Sequence, residues 1–360
     1  MTETMERHNS KGHLLAGSED FRKLLELRLF EHFLPVAADL EFVKRRRTMY
    51  SEILEYRRRS DPKAPKLLAK RRIGFESAEV DRKKAELEFQ RLQRLNERSG
   101  SILRGTIPCP VAMFPELNVI VFEKLPGRDL RKILWQQANV LVGTLRKTRL
   151  GSISYQVGSW LRKFHEATSE PPAPFEAAAF LREFDGLLGR CIARGLSEGA
   201  TAGIRERVSR AAGQVDGMQQ PRAARQGDLN PINILVEGQR IAVVDFEDYC
   251  ECAPVHEDVG WLTAYFLMMR ESPLYSRGAM QVVLEEFLRG YGEPKRDKLG
   301  ALYRIKAAVE LAYGQIVLGR NSFSRRLFGD GPKLRQLERR LGGFAVELLQ
   351  DSPSPPAVSS

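Results

Sequence analysis

The stretch Gln226–Asp248, QGDLNPINILVEGQRIAVVDFED, decides how this sequence is read. It holds an aspartate, Asp228, an asparagine five residues later, Asn233, and, beyond two apolar runs, a second aspartate, Asp245. Ile234-Leu235-Val236 and the run from Arg240 read as short strands joined by a tight turn at Glu237-Gly238. A hairpin returns on itself, so Asn233 before its first strand and Asp245 after its second can converge. An amide oxygen and a carboxylate are hard ligands, suited to Mg²⁺ held jointly with substrate phosphates. Asp228, on the preceding loop, can orient an attacking hydroxyl and accept its proton. Taken alone, Asp228 and Asn233 are equally well a loop of turn formers. Asp245-Phe246-Glu247 at the far end of the hairpin tips the reading toward phosphate and metal chemistry.

On the N-terminal side, Phe21–Phe33 carries apolar residues at helical spacing, and three strand-like pieces follow: Leu40–Lys44, Met49–Arg57 and Lys66–Arg72. Ala78–Leu95 reads as a long charged helix with an apolar stripe at Leu87, Phe89, Leu92 and Leu95, and Asn118–Phe122 as a buried strand. Pro126-Gly127 breaks the chain before a helix that starts at Leu130. The remainder is mostly helical: Ser154–Ala167, Phe175–Ala193, Gly203–Val215, Asp258–Met269, Gly278–Tyr291, Leu299–Val317 and Lys333–Leu349. This predicts a small strand-and-helix region to about residue 123, then a larger helical region containing one hairpin. Residues 1–18 and the Pro/Ser-rich 351–360 are expected to be flexible.

The chain has 360 residues, 42% of them apolar, with 57 Lys/Arg against 46 Asp/Glu. That apolar fraction excludes a disordered chain. The longest apolar run, Trp261–Met269, is about half a membrane span. The first residues lack an apolar signal core, and four scattered cysteines make no disulfide framework, so a cytoplasmic location is expected. The net charge of +11 is segmental. Residues 41–100 hold 18 Lys/Arg against 10 Asp/Glu, and 295–341 hold 12 against 4. Such segments suit nucleic acid, an anionic surface or a phosphate-bearing ligand. No helix-turn-helix, zinc finger or interleaved aromatic-basic platform accompanies them, so no nucleic-acid partner is expected.

The central segment resembles the catalytic and metal-binding loops of the aminoglycoside phosphotransferase and choline kinase superfamily, small-molecule relatives of protein kinases. The family pattern is His-Gly-Asp, Asn five residues on, then a hairpin ending in Asp-Phe-Glu or similar. Gly227, Asp228, Asn233, Asp245 and Phe246 match it. Trp160–His165 is similar to the helix ending in Leu-His before the catalytic loop. Glu257–Trp261 resembles the acidic start of the helix after the metal loop, and Val119–Gly127 the hinge strand with its Pro-Gly turn. The resemblance covers roughly residues 40 to 345.

It implies an α+β, two-lobed protein-kinase-like fold: a small antiparallel-sheet N-lobe over residues 19–125, with a leading helix and the nucleotide site, and a larger helical C-lobe over 126–350. It implies Asp228 as catalytic base, Asn233 and Asp245 as Mg²⁺ ligands, and Glu123, Lys124 and Leu125 as the hinge that meets the adenine edge through backbone groups. Lys70 stands where the family contacts the α/β-phosphates, with Glu88 as its ion-pair partner. Glu86 is the rival; Glu88 is preferred because it shares a face with Leu92 and Leu95. ATP (or GTP) is the implied co-substrate, and the acceptor a small-molecule hydroxyl.

The sequence departs from the family at Gln226, which replaces the histidine, and at Arg45–Ser51, a strand connection without glycine in which Arg47, Thr48 and Ser51 can donate to phosphate. These departures motivate the alternative of a pseudokinase that binds nucleotide without turnover. There is no G-x-x-x-x-G-K-[ST], which excludes a P-loop enzyme. His165 reads as a structural histidine and Cys250-x-Cys252 as no metal site. Asp258 is expected to cap its helix and brace the catalytic loop, Asp248 to be exposed, and Glu247 to be open to a second Mg²⁺ through water. From Pro254 to Gly343 there are 15 Lys/Arg against 10 Asp/Glu, which predicts a neutral or anionic acceptor (a sugar, sugar phosphate or nucleoside) over a polycationic aminoglycoside.

Overall fold

The computed structural model of the protein describes residues 19–32, 39–47, 51–61, 66–73, 77–141, 147–292, 297–319 and 331–349. The ends expected to be flexible, and Thr48, lie outside the described residues. The chain forms two compact units, Met1–Gly127 with Ala242–Glu247, and Arg128–Ile241 with Asp248–Ser360. Asp245 and Glu247 therefore belong to the first unit, Asp228 and Asn233 to the second.

The first unit is an antiparallel sheet with two long helices. Helix α1 (Glu19–His32) is followed by β1 (Leu40–Arg47), β2 (Ser51–Arg58), β3 (Leu67–Arg72), α2 (Ala78–Ser99), β4 (Pro110–Phe114) and β5 (Val119–Glu123). The strands lie in the order β1-β2-β3-β5-β4. Side chains alternate across a strand, so the sheet has two chemically distinct faces. On one face Leu54, Tyr56, Ala69, Val119 and Val121 pack against Phe21, Leu25 and Leu29, the apolar i, i+4, i+8 stripe of α1. The opposite face carries Lys70, whose cross-strand neighbours are Ile53 and Ile120. Strand β4 was not read from the sequence; its one-residue irregularity between Pro110 and Ala112 breaks the alternation.

The second unit begins with β6 (Arg128–Asp129), α3 (Leu130–Gln137) and α4 (Lys147–Ala167). It continues through β7 (Glu170–Pro174), α5 (Ala177–Ile192), α6 (Glu198–Gln214) and β8 (Gln219–Arg225) to the hairpin strands β9 (Ile234–Glu237) and β10 (Arg240–Val243). It closes with β11 (Cys250–Pro254), α7 (His256–Arg270), α8 (Arg277–Tyr291), α9 (Lys298–Gly319) and α10 (Gly331–Leu349). The expectation of a single hairpin here is corrected. β6 joins the β9–β10 hairpin, and β7, β8 and β11 form a separate antiparallel sheet. Its strands, EPPAP, QQPRAAR and CECAP, contain no β-branched or aromatic residue, so local propensity does not announce them. No described helix is long and apolar enough to cross a membrane.

Helices α4 and α8 touch backbone to backbone where two glycines meet. A Cβ on Gly158 would lie 2.1 Å from Phe287 O, and one on Gly290 2.1 Å from Tyr155 O. Gly186, on α5, has nothing within 4 Å of such a Cβ. Gly158→Ala is therefore expected to cost about 1–3 kcal/mol through forced separation of the helices. Gly186→Ala is expected to gain up to about 1 kcal/mol from helix propensity. Urea unfolding of the two variants beside the wild type checks both signs.

Candidate active site

In the first unit the buried side chain of Lys70 is the centre of a charge cluster. Its Nζ donates to Glu88 Oε1 at 2.9 Å and to Asp245 Oδ1 at 3.0 Å, with Glu247 Oε2 at 3.7 Å. Glu88 sits on the buried stripe of α2 formed by Asp81, Ala85, Glu88, Leu92 and Leu95. Leu87, expected on that stripe, is 41% exposed, because it lies about 100° round the helix from Glu88. Glu86 lies 3.8 Å from Arg82 on its own helix, so the rivalry with Glu88 is resolved in favour of Glu88. Burial by itself disfavours a charged lysine, but Glu88, Asp245 and Glu247 together outweigh it and hold the Lys70 ammonium above its ordinary value.

Asp245 adopts a left-handed backbone, φ 66°, one of two non-glycine residues to do so among those described. Aspartate tolerates that conformation better than most residues, and such strain is concentrated at functional turns. Glu247, expected to be open to a second metal, is instead engaged with Arg72 as well as Lys70, and its carbonyl accepts from Arg91 at 3.5 Å. The predicted hinge begins at Glu123, the last residue of β5. The Glu123 amide donates to Cys109 O at 3.2 Å and the Lys124 amide to Lys66 O at 2.7 Å, so both are spent within the sheet. The Lys124 side chain reaches Glu55, donating to both carboxylate oxygens at 2.9 Å. Leu125 is past the end of the strand and half-buried.

In the second unit the predicted catalytic loop is held by side chains the sequence placed only partly. The Gln226 amide donates to Asp258 Oδ2 at 2.8 Å, and the Gly227 amide to Asp258 Oδ1 at 3.1 Å. Asp258 is therefore the brace it was expected to be, but it is not the helix cap. It is the third residue of α7, whose N-cap position is Val255. Gln226 is fully buried, and its Oε1 accepts the Asp228 amide at 2.8 Å. Gly227 needs to be glycine twice over: its φ is +94°, and a Cβ there would lie 2.3 Å from Asp248 O. Asp248 itself is exposed, as expected.

The Asp228 carboxylate accepts at Oδ2 from Asn230 Nδ2 at 2.8 Å and from Asn233 Nδ2 at 3.0 Å. The Asn233 amide nitrogen also donates to Asp228 O at 3.0 Å. Both contacts use the amide nitrogen, which leaves Asn233 Oδ1 in the role of acceptor or ligand. His165 is structural, its Nδ1 2.9 Å from the Tyr291 hydroxyl and its Nε2 3.5 Å from Asp258 Oδ2. Sequence reasoning missed Asn230, whose signal was an Asn two residues after Asp228 in a turn-forming run. It also missed Tyr265 on α7: burial, reinforced by the Asp228 carboxylate, pushes this phenol up to about 12.

Each of the two predicted ligands carries a hard oxygen of the kind that suits magnesium. Asp245 offers a carboxylate and Asn233 an amide oxygen, while no group of three or more His, Cys, Asp or Glu suited to a metal occurs among the described residues. Mg²⁺ usually takes one or two protein ligands and completes its shell with phosphate and water.

The sequence profile of the Phosphotransferase enzyme family matches residues 54–302, more than two-thirds of the chain. The chain belongs to this family. It is a kinase-type phosphotransferase, an enzyme whose acceptor is a hydroxyl group. No curated protein matches it significantly. Among solved structures, a Ralstonia eutropha protein assigned as an aminoglycoside phosphotransferase is similar at 12% identity and TM-score 0.58, over 91% of this chain and 98% of that one. A thermostable variant of aminoglycoside phosphotransferase APH(4)-Ia, in ternary complex with ADP and hygromycin B, is similar at 14% identity and TM-score 0.55, over 91% and 99%. An amicoumacin kinase in complex with AMP-PNP, Ca²⁺ and Ami is similar at 16% identity and TM-score 0.53, over 92% and 95%. At these identities the likeness establishes the phosphotransferase's kinase-like fold, with an antiparallel-sheet N-terminal region and a helical C-terminal region.

Two outcomes are expected. Glu88→Ala should destabilise by about 1–3 kcal/mol, less than the usual loss for a broken buried pair, because two other carboxylates still face Lys70. The Lys70 pKa is raised, so the stability it contributes is present below the ordinary lysine range and lost only as pH rises above it. Burial holds the Glu88 carboxyl above its ordinary value, so the advantage of the wild type over Glu88→Ala should shrink as pH rises through the range above that ordinary value, measured by denaturation at each pH. Asp258→Ala should strand two backbone N–H groups and lower stability by about 2–5 kcal/mol, together with a fall in turnover, read by calorimetry and by initial rates.

Proposed function

We propose that this phosphotransferase moves the γ-phosphoryl group of ATP (or GTP), with Mg²⁺, to a hydroxyl of a neutral or anionic small molecule. Asp228 is the base. The acceptor O–H bond breaks with its proton passing to the Asp228 carboxylate, a P–O bond forms to the acceptor oxygen, and the bond from the γ-phosphorus to its bridging oxygen breaks, leaving a nucleoside diphosphate. The observation that carries this reading is the immobilisation of Asp228. Two asparagine side chains hold one carboxylate oxygen, and Gln226 holds the backbone amide. That is the preorganisation phosphoryl transfer requires, since positioning and charge neutralisation supply most of its rate.

Asn233 and Asp245 are the proposed Mg²⁺ ligands, and the ion would neutralise charge on the transferring phosphates. Lys70, aimed by Glu88, is assigned to the α/β-phosphates. Glu123, Lys124 and Leu125 are assigned to the base of the nucleotide. The amides of the first two are committed to the sheet, so the contact falls to Leu125 and to carbonyl groups. Gln226 supports turnover over the pseudokinase alternative, because it takes a scaffolding role with its own side chain instead of leaving the loop unheld.

Asp228→Ala is expected to abolish transfer, while Asp245→Ala is expected to abolish Mg²⁺-dependent nucleotide binding. A screen of hydroxyl compounds read by the mass gain of one phosphate, run beside titrations of ATP and GTP with and without Mg²⁺, tests both. Wild-type turnover in Asp228→Ala refutes the base assignment. Tight nucleotide binding with neither transfer nor slow hydrolysis establishes the pseudokinase instead.

A further inference from the structure

Helix α7 leaves the catalytic loop with an apolar and aromatic face that the chemistry so far does not use. Asp258 binds the Gln226 and Gly227 amides, so the first turn of α7 is pinned to the loop that carries Asp228. Trp261 and Tyr265 follow Asp258 at i+3 and i+7, on the same side of the helix, within about 10 Å of rise. Their rings meet edge to face, with centroids 5.9 Å apart. Both are half-buried where most of α7 is fully buried, and Met269 continues the same half-buried line one turn further on. The Trp261 Nε1 atom is itself enclosed, so the surface this residue offers is ring carbon. From Val259 to Met269 the helix has no charged residue at all. Burial raises the Tyr265 phenol, and the Asp228 carboxylate adds to that shift.

We propose that Trp261 and Tyr265 form the wall against which the acceptor lies, and that the acceptor is a neutral ring-bearing alcohol, a nucleoside or a pyranose, with one flat face on the wall and its hydroxyl toward Asp228. This rests on the phosphotransfer reading above and narrows it. An uncharged aromatic wall stacks on a planar base or on the C–H face of a sugar. Between Val259 and Met269 the wall itself offers no carboxylate to a polycation. An open-chain alcohol cannot cover two rings and gains less from them.

The test is initial-rate kinetics of the full chain with Mg²⁺ and whichever of ATP or GTP it uses, on adenosine, methyl glucoside, glycerol, choline and kanamycin. Adenosine or methyl glucoside should be the best acceptor. Trp261→Ala should raise the KM of that acceptor about tenfold or more, with a smaller change in kcat. Trp261→Phe, which keeps a ring, should stay within about threefold of the wild type. Tyr265→Ala serves where Trp261→Ala does not fold, with the same expected rise in KM. Preference for glycerol, choline or kanamycin overturns the inference and leaves phosphotransfer standing, as does an unchanged ring-acceptor KM in a folded Trp261→Ala. Absence of transfer to every alcohol by the wild type overturns the phosphotransfer reading, and this inference with it.

Discussion

The second unit depends on one carboxylate. Asp258 is 1% exposed, yet it accepts two backbone N–H groups from Gln226 and Gly227. Buried amides without acceptors cost about 1–3 kcal/mol each, so a loop that turns sharply inside a protein must find acceptors or fail to form. Helix α7 provides them from its first turn, and the loop then has one conformation. In that conformation Gln226 reaches the Asp228 amide, and Asn230 and Asn233 reach its carboxylate. Each later bond is possible because the first pair is made.

The first unit has a matching centre of opposite sign. Lys70 is a buried cation that stays charged because three carboxylates surround it. Two come from the short segment Ala242–Glu247, which belongs to this unit although it lies far along the chain. Glu88 is the anchored member: it stands on the buried stripe of α2, whereas the Asp245 side chain is 44% exposed on a left-handed turn. Lys70 is thus held by a fixed partner and a more exposed one.

Much of this was legible because the relevant signals are local. The Asp228–Asn233–Asp245 spacing, the hairpin and the long helices all follow from periodicity over a few turns or strands. Glu88 was chosen over Glu86 by counting along one helix, and Glu88 is the one that pairs with Lys70. The same counting put Leu87 on the stripe, where it does not lie, because an apolar residue one step round the helix mimics periodicity. Gln226 was legible as a residue able to bond backbone, but not as the acceptor of the Asp228 amide, which depends on the turn at Gly227.

By itself the sequence determined the strand-then-helix organisation and the hydrophobic stripe of α1, and it offered the candidate groups for phosphoryl chemistry. These follow from side-chain periodicity and from the chemistry of single residues. The tertiary structure decided which groups are neighbours. It drew β7, β8 and β11 into a sheet without any β-branched or aromatic residues, turned Glu247 toward Arg72, kept Asp258 as a brace but not a cap, and set Trp261 and Tyr265 on one side of α7 beyond that brace. Such pairings depend on which distant segments exclude water from one another, and no local pattern carries that information.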